Sequence, residues 1–419
     1  MHLVAEPAEI EEIAEAIARA PLAAFDLEFV SADRLVPLLA LVQVSWLRGD
    51  GQHQALDAAG GAGVAPDVRS VANAPPEVRL IDPFVGDAAP VIAALAAHSL
   101  VIAHAPRQDL ALLAARFGAA IPGLVDTQLM AAFAGRGDQI GYATLANELL
   151  GTALAKDQQW TAWDQRPLSA AQLAYAEADV RYLPAIYARL AAELGPRVAW
   201  VRDETALVAA DALAAVRVTP ETAWHHVGGT RGLDTAAHAA VVALAAWRLR
   251  VATELDRPLG QVLADKPLVE LARKRPATAA GVRDTKGLAP IAKSRADAIA
   301  HELAAIKPEP VAARPERAPL PRGPSTRAQR WAEALLAIAH VIADDVGIAP
   351  RLIATRGDAE DFARAADDHG LDAAELRALP ALASWRRPIL GDAWLGWLGG
   401  KLALVGDATT AHGVRLTSL

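Results

Sequence analysis

The segment AAFDLEFV, residues 23–30, alternates strictly, with Phe25, Leu27 and Phe29 on one side and Asp26 and Glu28 on the other. That period of two is the signature of a strand with one apolar face. Two carboxylates spaced i, i+2 then project together, so they either face solvent or share a hard cation. Taken alone, the pair does not decide between these. Apolar runs at 38–46 and 78–84 complete an antiparallel meander beside it. The connection between those runs, residues 48–77, is rich in Gly, Ala and Pro and far longer than a hairpin turn, so we read it as a mobile insertion.

Ile10, Ile13 and Ile17 recur at helical spacing behind Pro7, and Pro21 ends that opening helix. Beyond the meander the sequence predicts a helix over 88–97, a strand over 100–104, and helices up to Val216. Strands first and helices later define an α/β domain with a mixed sheet. From Thr219 the pattern is almost purely helical, broken at Gly228-Gly229, Pro258, Pro276 and Gly287, as in a small bundle. Residues 307–325, KPEPVAARPERAPLPRGPS, carry no period and read as a semi-rigid linker. The expected division is therefore 1–216, 217–306, the linker 307–325, and a second helical domain over 326–419. A chain of 419 residues suits two or three cores of ordinary size.

The longest nearly apolar stretch, 35–47, contains Pro37 and Gln43 and falls short of the roughly 20 residues that cross a bilayer. No membrane span is expected. The N-terminus is acidic where a secretory signal would be basic, and there is no cysteine, so a cytoplasmic protein is expected. The net charge of −8 is unevenly spread: −11 over 1–210, +3 over 211–306, and 0 over 307–419. Within the middle region, 266–295 holds eight basic residues against Glu270 and Asp284. Such a stretch either follows a phosphate backbone or forms a solvated helical face.

Two further places carry acids in a suggestive setting. Asp109 follows the apolar strand LVIAH after the turn APRQ, where its carboxylate could equally cap a helix. In QLAYAEADVRYL, Tyr175 and Asp179 stand four apart and share one helix face, which a satisfied buried pair would also do.

Taken in order, FDLEFV, HAPRQDLALL, DTQLMAAF and LAKDQQWTAWDQRPLSAAQLAYAEADVRYL closely resemble the ribonuclease D family. This family lies in the tyrosine-containing branch of the Asp-Glu-Asp-Asp exonucleases. The likeness runs from about residue 20 to 195 and continues beyond. It implies a ribonuclease H-like α/β exonuclease domain followed by two small all-α HRDC-like bundles. It further implies that Asp26, Glu28, Asp109 and Asp179 are metal ligands and catalytic, and that Tyr175 positions water. Two divalent ions, Mg2+ or Mn2+, are the implied cofactors, and a metal makes physical sense of four acids with no compensating base.

His104, Gln43, Lys156, Trp163 and Arg166 also match recurring positions of the family. For His104, Gln43 and Trp163 we favour core or hydrogen-bonding roles. Arg166 either binds phosphate or holds its loop to the acidic helix behind it, and Lys156 is similarly open. The segment LAAWRLRVATELDRPLGQVLADKPLVELARKRP resembles the HRDC module, through Trp247, Arg248, Asp256, Pro258 and Pro276. Lys274 and Arg275 are its first expected RNA contacts. The ending LPALASWRRPILGDAWLGWLGGKLALV looks like that of a second, divergent module, in which Trp385, Trp394 and Trp397 are expected in the core rather than stacked on bases.

The resemblance thus implies a metal-dependent 3′-to-5′ exoribonuclease that trims structured RNA such as tRNA precursors and releases nucleoside 5′-monophosphates, with no obligate protein partner. Two other readings compete: a DNA-directed exonuclease of the same superfamily, and a catalytically silent RNA-binding scaffold. The helical modules weigh against the first, and retention of every acid weighs against the second.

Overall fold

A computed structural model describes residues 3–48, 75–155, 158, 161–306, 324–410 and 413–419. The insertion expected over 48–77 and the linker expected over 307–325 lie almost entirely outside the described residues, and so does Lys156. The ends of the insertion are described: Arg48 and Glu77 form an ion pair there.

The first half is built on a six-stranded mixed sheet. Its strands are β1 (Leu3–Val4), β2 (Ala23–Val30), β3 (Leu38–Trp46), β4 (Glu77–Ile81), β5 (Val101–Ala103) and β6 (Leu124–Asp126), in the order β1-β4-β3-β2-β5-β6. The meander β2-β3-β4 is antiparallel as expected, while β1 pairs with β4, β5 with β2 and β6 with β5 in parallel. Strands β1 and β6, of two and three residues, were not expected from the sequence; segments that short carry no measurable period.

Helices α1 (Pro7–Arg19), α2 (Ala89–Ala97) and α3 (Arg107–Phe117) cover one face of the sheet. Phe25 and Leu27 of β2 are buried there with Ile10, Ile17, Val91, Leu95 and Leu113, and Phe29 packs against the same cluster. The opposite face is covered by α4 (Thr127–Phe133), α5 (Tyr142–Leu150), α6 (Ala170–Arg181) and α7 (Leu183–Leu194), and α8 (Val198–Val216) follows. Asp26 and Glu28 therefore point toward α6, on the face that alternation assigned to them.

The middle helical domain comprises α9 (Thr235–Leu255), α10 (Leu259–Leu263), α11 (Asp265–Lys274), α12 (Ala279–Arg283), α13 (Pro290–Ser294) and α14 (Ala296–Ala304) around its own core. It is latched to the loop after β2. Asp256, in the left-handed turn that ends α9 (φ 47), accepts hydrogen bonds from Arg34 at 2.8 Å and from the Leu35 N–H at 3.1 Å, and Arg257 donates to the Asp33 carbonyl at 3.0 Å.

The last region starts with α15 (Thr326–Val346) and continues through α16 (Pro350–Ile353), α17 (Arg356–His369), α18 (Ala374–Arg377) and α19 (Asp392–Leu398). It is not purely helical: β7 (Leu402–Gly406) and β8 (Val414–Ser418) close it as an antiparallel hairpin. Gly413, at φ 70, serves the turn between them. Nor does it have a separate core. Leu335, Ile338, Phe362 and Trp394 belong to one apolar cluster with Phe133, Ile186, Leu190 and Val201 of the first half. Trp394 and Trp385 are buried and Trp397 packs against the same cluster, so these tryptophans serve the core.

Candidate active site

Three carboxylates converge from two elements. One oxygen each of Asp26, Glu28 and Asp179 lies within 4.8 Å of the others, a grouping of hard donors suited to a divalent cation. The two on β2 follow from strand alternation. Asp179 comes from the last turn of α6, a helix opened by a capping box in which Ser169 and Gln172 bond each other's backbone. A register shift after Glu28 sets Glu28 opposite Leu41 and Phe29 opposite Leu39, leaving Ala40 without a partner on β2. Such bulges re-aim neighbouring side chains and recur beside active sites.

Asp109 stands apart from that threesome but within reach of its field. It is buried in the first turn of α3, where the helix dipole favours a carboxylate. The turn before it is sharp: Ala105 is left-handed at φ 52, and its N–H is fixed by Asp126 Oδ1 at 2.9 Å. Asp126 also caps α4 through the Gln128 N–H at 2.8 Å.

Electrostatics bind the four acids into one unit. Burial, eased by the Leu27 N–H, raises Asp26 to about 7. Burial and then the charges of Asp26, Asp179 and Asp109 raise Glu28 to about 9. Burial and Asp26 raise Asp179 to about 8, while the Tyr175 phenol works in the opposite direction, and burial and Asp26 push Asp109 well above its ordinary value. The acids repel one another, and among the described residues no cation offsets them. A bound metal would reverse that balance. The donor set fits such an ion, and a further observation agrees: Gln43, fully buried directly across the ladder from Asp26, has neither end of its amide hydrogen-bonded within the described residues.

Tyr175 lies one helical turn before Asp179 and is hydrogen-bonded to it; burial, then Asp179, Glu28 and Asp26, hold it in the phenol form. Trp163 packs beside it with ring centroids 6.1 Å apart. His104 is a structural residue: it bonds Thr127 Oγ1 at 2.9 Å and the Ile140 carbonyl at 3.0 Å, and burial lowers it to about 4, so it is neutral.

Arg166 has a structural role in its loop. Its Nε and Nη2 grip both oxygens of Asp82 at 2.6 and 2.8 Å, Nη2 also reaches the Ala40 carbonyl at 2.7 Å, and Nη1 bonds the carbonyls of Trp163 and Gln165, each at 2.9 Å. All five donors of the guanidinium are engaged. The loop is thereby held to β3 and the end of β4 rather than to an acidic helix, and the acceptor freed by the bulge at Ala40 is part of the grip. Lys274 is paired with Glu270 at 2.7 Å on the exposed side of α11, and Arg275 forms the left-handed cap of that helix at φ 47. Neither approaches the acids through any hydrogen bond or ion pair among the described residues.

Sequence reasoning missed Asp126, Ser45 and Tyr142. Asp126-Thr127 has the form of a helix cap and could have been found. A serine in an apolar strand and a tyrosine after a glycine give no comparable signal.

The arrangement defines a class. Residues 1–195 match the 3′-5′ exonuclease family and residues 237–296 the HRDC domain. The chain is 37% identical to ribonuclease D of Acidiphilium cryptum over 72% of this chain and 74% of that protein, and 31% identical to ribonuclease D of Gluconacetobacter diazotrophicus over 97% and 95%. The crystal structure of Escherichia coli RNase D, described as an exoribonuclease involved in structured RNA processing, shares the fold with a TM-score of 0.73 at 24% identity, covering 95% of this chain and 98% of that one. The chain belongs to the ribonuclease D family and is a 3′-to-5′ exoribonuclease. Its acidic cluster is of the kind that works with divalent metal.

Proposed function

We propose that the enzyme trims the 3′ ends of tRNA precursors and other structured RNAs, releasing nucleoside 5′-monophosphates, with two ions, Mg2+ or Mn2+, at the acidic cluster. The observation that carries this reading is the convergence of Asp26, Glu28 and Asp179 within 4.8 Å, with Asp109 in the same electrostatic field. These four side chains would hold the ions. When bound, divalent ions supply an activated water and stabilise the departing 3′ oxygen.

The chain's own residues do the rest. Tyr175, kept as a phenol, gives its one O–H to Asp179 and is not a base at neutral pH, so its role is to orient the attacking water, which its oxygen can accept from. Trp163 and Leu168 belong to the apolar cluster on which Tyr175 packs. The middle domain, latched at Asp256, presents the basic stretch 266–295, in which Arg275 remains our first expected RNA contact and Lys274 a weaker one because of Glu270. We read the division into 1–216, 217–306 and 326–419 as functional, the last part being a divergent HRDC-like module docked on the first. No described helix is long and apolar enough to cross a membrane, and we place the enzyme in the cytoplasm.

The test is a time course on 5′-labelled tRNA carrying a single-stranded 3′ tail, with Mg2+, with chelator, and with Asp26→Asn. A metal-dependent ladder that shortens from the 3′ end and vanishes in the variant supports the reading. RNA that is bound but never shortened would hand the case to the scaffold alternative, and equal degradation of a DNA strand would remove the RNA preference.

A further inference from the structure

Two hydroxyl groups from different elements bond the backbone around Asp179. Helix α6 ends at Arg181, so its final carbonyls have no donor within the helix. For Val180 the residue four further on is Pro184, which has no N–H to give, and the backbone N–H that reaches the Val180 carbonyl is that of Tyr182, the cap of α6. Ser45 Oγ on β3 donates to the Val180 carbonyl at 2.8 Å, and the Tyr142 phenol at the start of α5 donates to the Ala178 carbonyl at 2.8 Å. The carbonyls of the residues immediately before and after Asp179 in the chain are thus each held by a side chain from a different element.

The placement of both donors is specific. Ser45 is fully buried two residues beyond Gln43, hence on the face of β3 that looks the same way as Asp26. Tyr142 packs its ring against His104 at 5.7 Å. Burial, followed by the charge of Asp179, pushes its phenol well above the ordinary value, so it stays a donor throughout the physiological range. A carboxylate in the last turn of a helix sits at the unfavourable end of the dipole, and rotation of that turn would relieve it. The two hydroxyls oppose such a rotation.

We propose that Ser45 and Tyr142 are positioning residues that fix Asp179 in register with Asp26 and Glu28, and thereby set the affinity of the cluster for its divalent cation. The proposal rests on the metal-site reading above. A simple helix cap would contribute to stability equally with and without metal; a positioning pair acts on the metal equilibrium itself.

The experiment titrates Mn2+ into the full-length protein without RNA, following heat of binding and thermal stabilisation, for the wild type, Tyr142→Phe, Ser45→Ala and Ser45→Thr. Loss of an outer partner of a metal ligand typically weakens binding about 10- to 100-fold. We expect Tyr142→Phe and Ser45→Ala each to raise the Mn2+ midpoint about 10-fold, with Ser45→Thr returning it toward wild type. On RNA, kcat at limiting metal should fall while KM is unchanged, and excess metal should restore kcat. Midpoints within about twofold of wild type in Tyr142→Phe, a variant that removes one oxygen and leaves the ring, would overturn the proposal even if the melting temperature in chelator drops. A wild-type protein with no response to Mn2+ or Mg2+ would instead sink the metal-site reading, and this inference with it.

Discussion

Asp179, in the last turn of α6, brings a carboxylate oxygen within 4.8 Å of one on Glu28 of β2, although most of the sheet, an insertion and helices α2 to α5 lie between them in the chain. Their proximity is unfavourable in the protein alone. It raises Glu28, after burial and Asp26, to about 9, and both residues are thereby made sensitive to protons and to cations.

That sensitivity has a sign. Folded values of about 7, 9 and 8 for Asp26, Glu28 and Asp179 stand above the ordinary 3.8, 4.5 and 3.8, so the folded state binds protons that the unfolded chain releases. Stability from this source is complete below about pH 4 and is lost as pH rises through 7 to 9. In chelator the melting temperature should decline from pH 5 to pH 9, and saturating Mg2+ should flatten or reverse the decline. Parallel declines with and without Mg2+, in calorimetric scans, would contradict the linkage.

Replacing Asp26 by Asn removes a central charge of the cluster, and activity on RNA should fall by about 10³-fold or more, since such sites depend on electrostatic preorganisation. In chelator the same variant should melt no lower than wild type, because repulsion is relieved. Tyr175→Phe, which leaves every acid in place, should cost less, about 10- to 100-fold, as for a hydrogen-bonding partner of a metal ligand. Equal losses in a steady-state assay would remove the distinction between ligand and water-orienting residue.

Arg166 provides a test of structure against substrate binding. Arg166→Ala leaves Asp82 without the guanidinium that, against the opposing effect of burial, holds its carboxyl low. Breaking a largely buried pair costs about 3–5 kcal/mol. Denaturant unfolding should show a loss of that size, whereas the salt dependence of RNA binding, measured on the folded fraction, should keep its slope. A slope reduced by about one would mean a lost phosphate contact after all.

The attachment of the last region is testable at Glu204 of α8. Arg386 bonds both its oxygens, with Nη2 to Oε2 at 2.9 Å, and the Trp385 indole N–H joins at 2.9 Å. Trp385 is also stacked on Trp200 at 5.5 Å. Arg386→Ala should destabilise by about 3 kcal/mol or more. Because the core is shared, the two regions should still melt in one transition; a separate early transition in the wild type would argue that they are independent.

Much of the site is legible in the amino-acid sequence. The alternation in AAFDLEFV assigns Asp26 and Glu28 to one face and Phe25 and Leu27 to the other, because a strand has only two sides. The i, i+4 spacing of Tyr175 and Asp179 fixes their common helix face. Spacing is silent on Arg166: its five donors are satisfied by β3, β4 and its own loop, contacts made by segments far apart in sequence. The hairpin over 402–418 is equally hidden, since its two strands bury only part of their surface and their apolar residues resemble the end of a helix.

The faces, the helix starts and the set of acids depend on local periodicity, on capping chemistry and on residue type, and all three can be read along the chain. Long-range packing is what makes Asp179 meet Glu28, lets Ser45 and Tyr142 grip the carbonyls of its two chain neighbours, and joins residues 326–398 to the core of Phe133 and Val201. Those outcomes depend on long-range packing, in which a buried hydroxyl or an unsatisfied carbonyl finds whichever partner the fold brings within about 3 Å, and no local pattern records that choice.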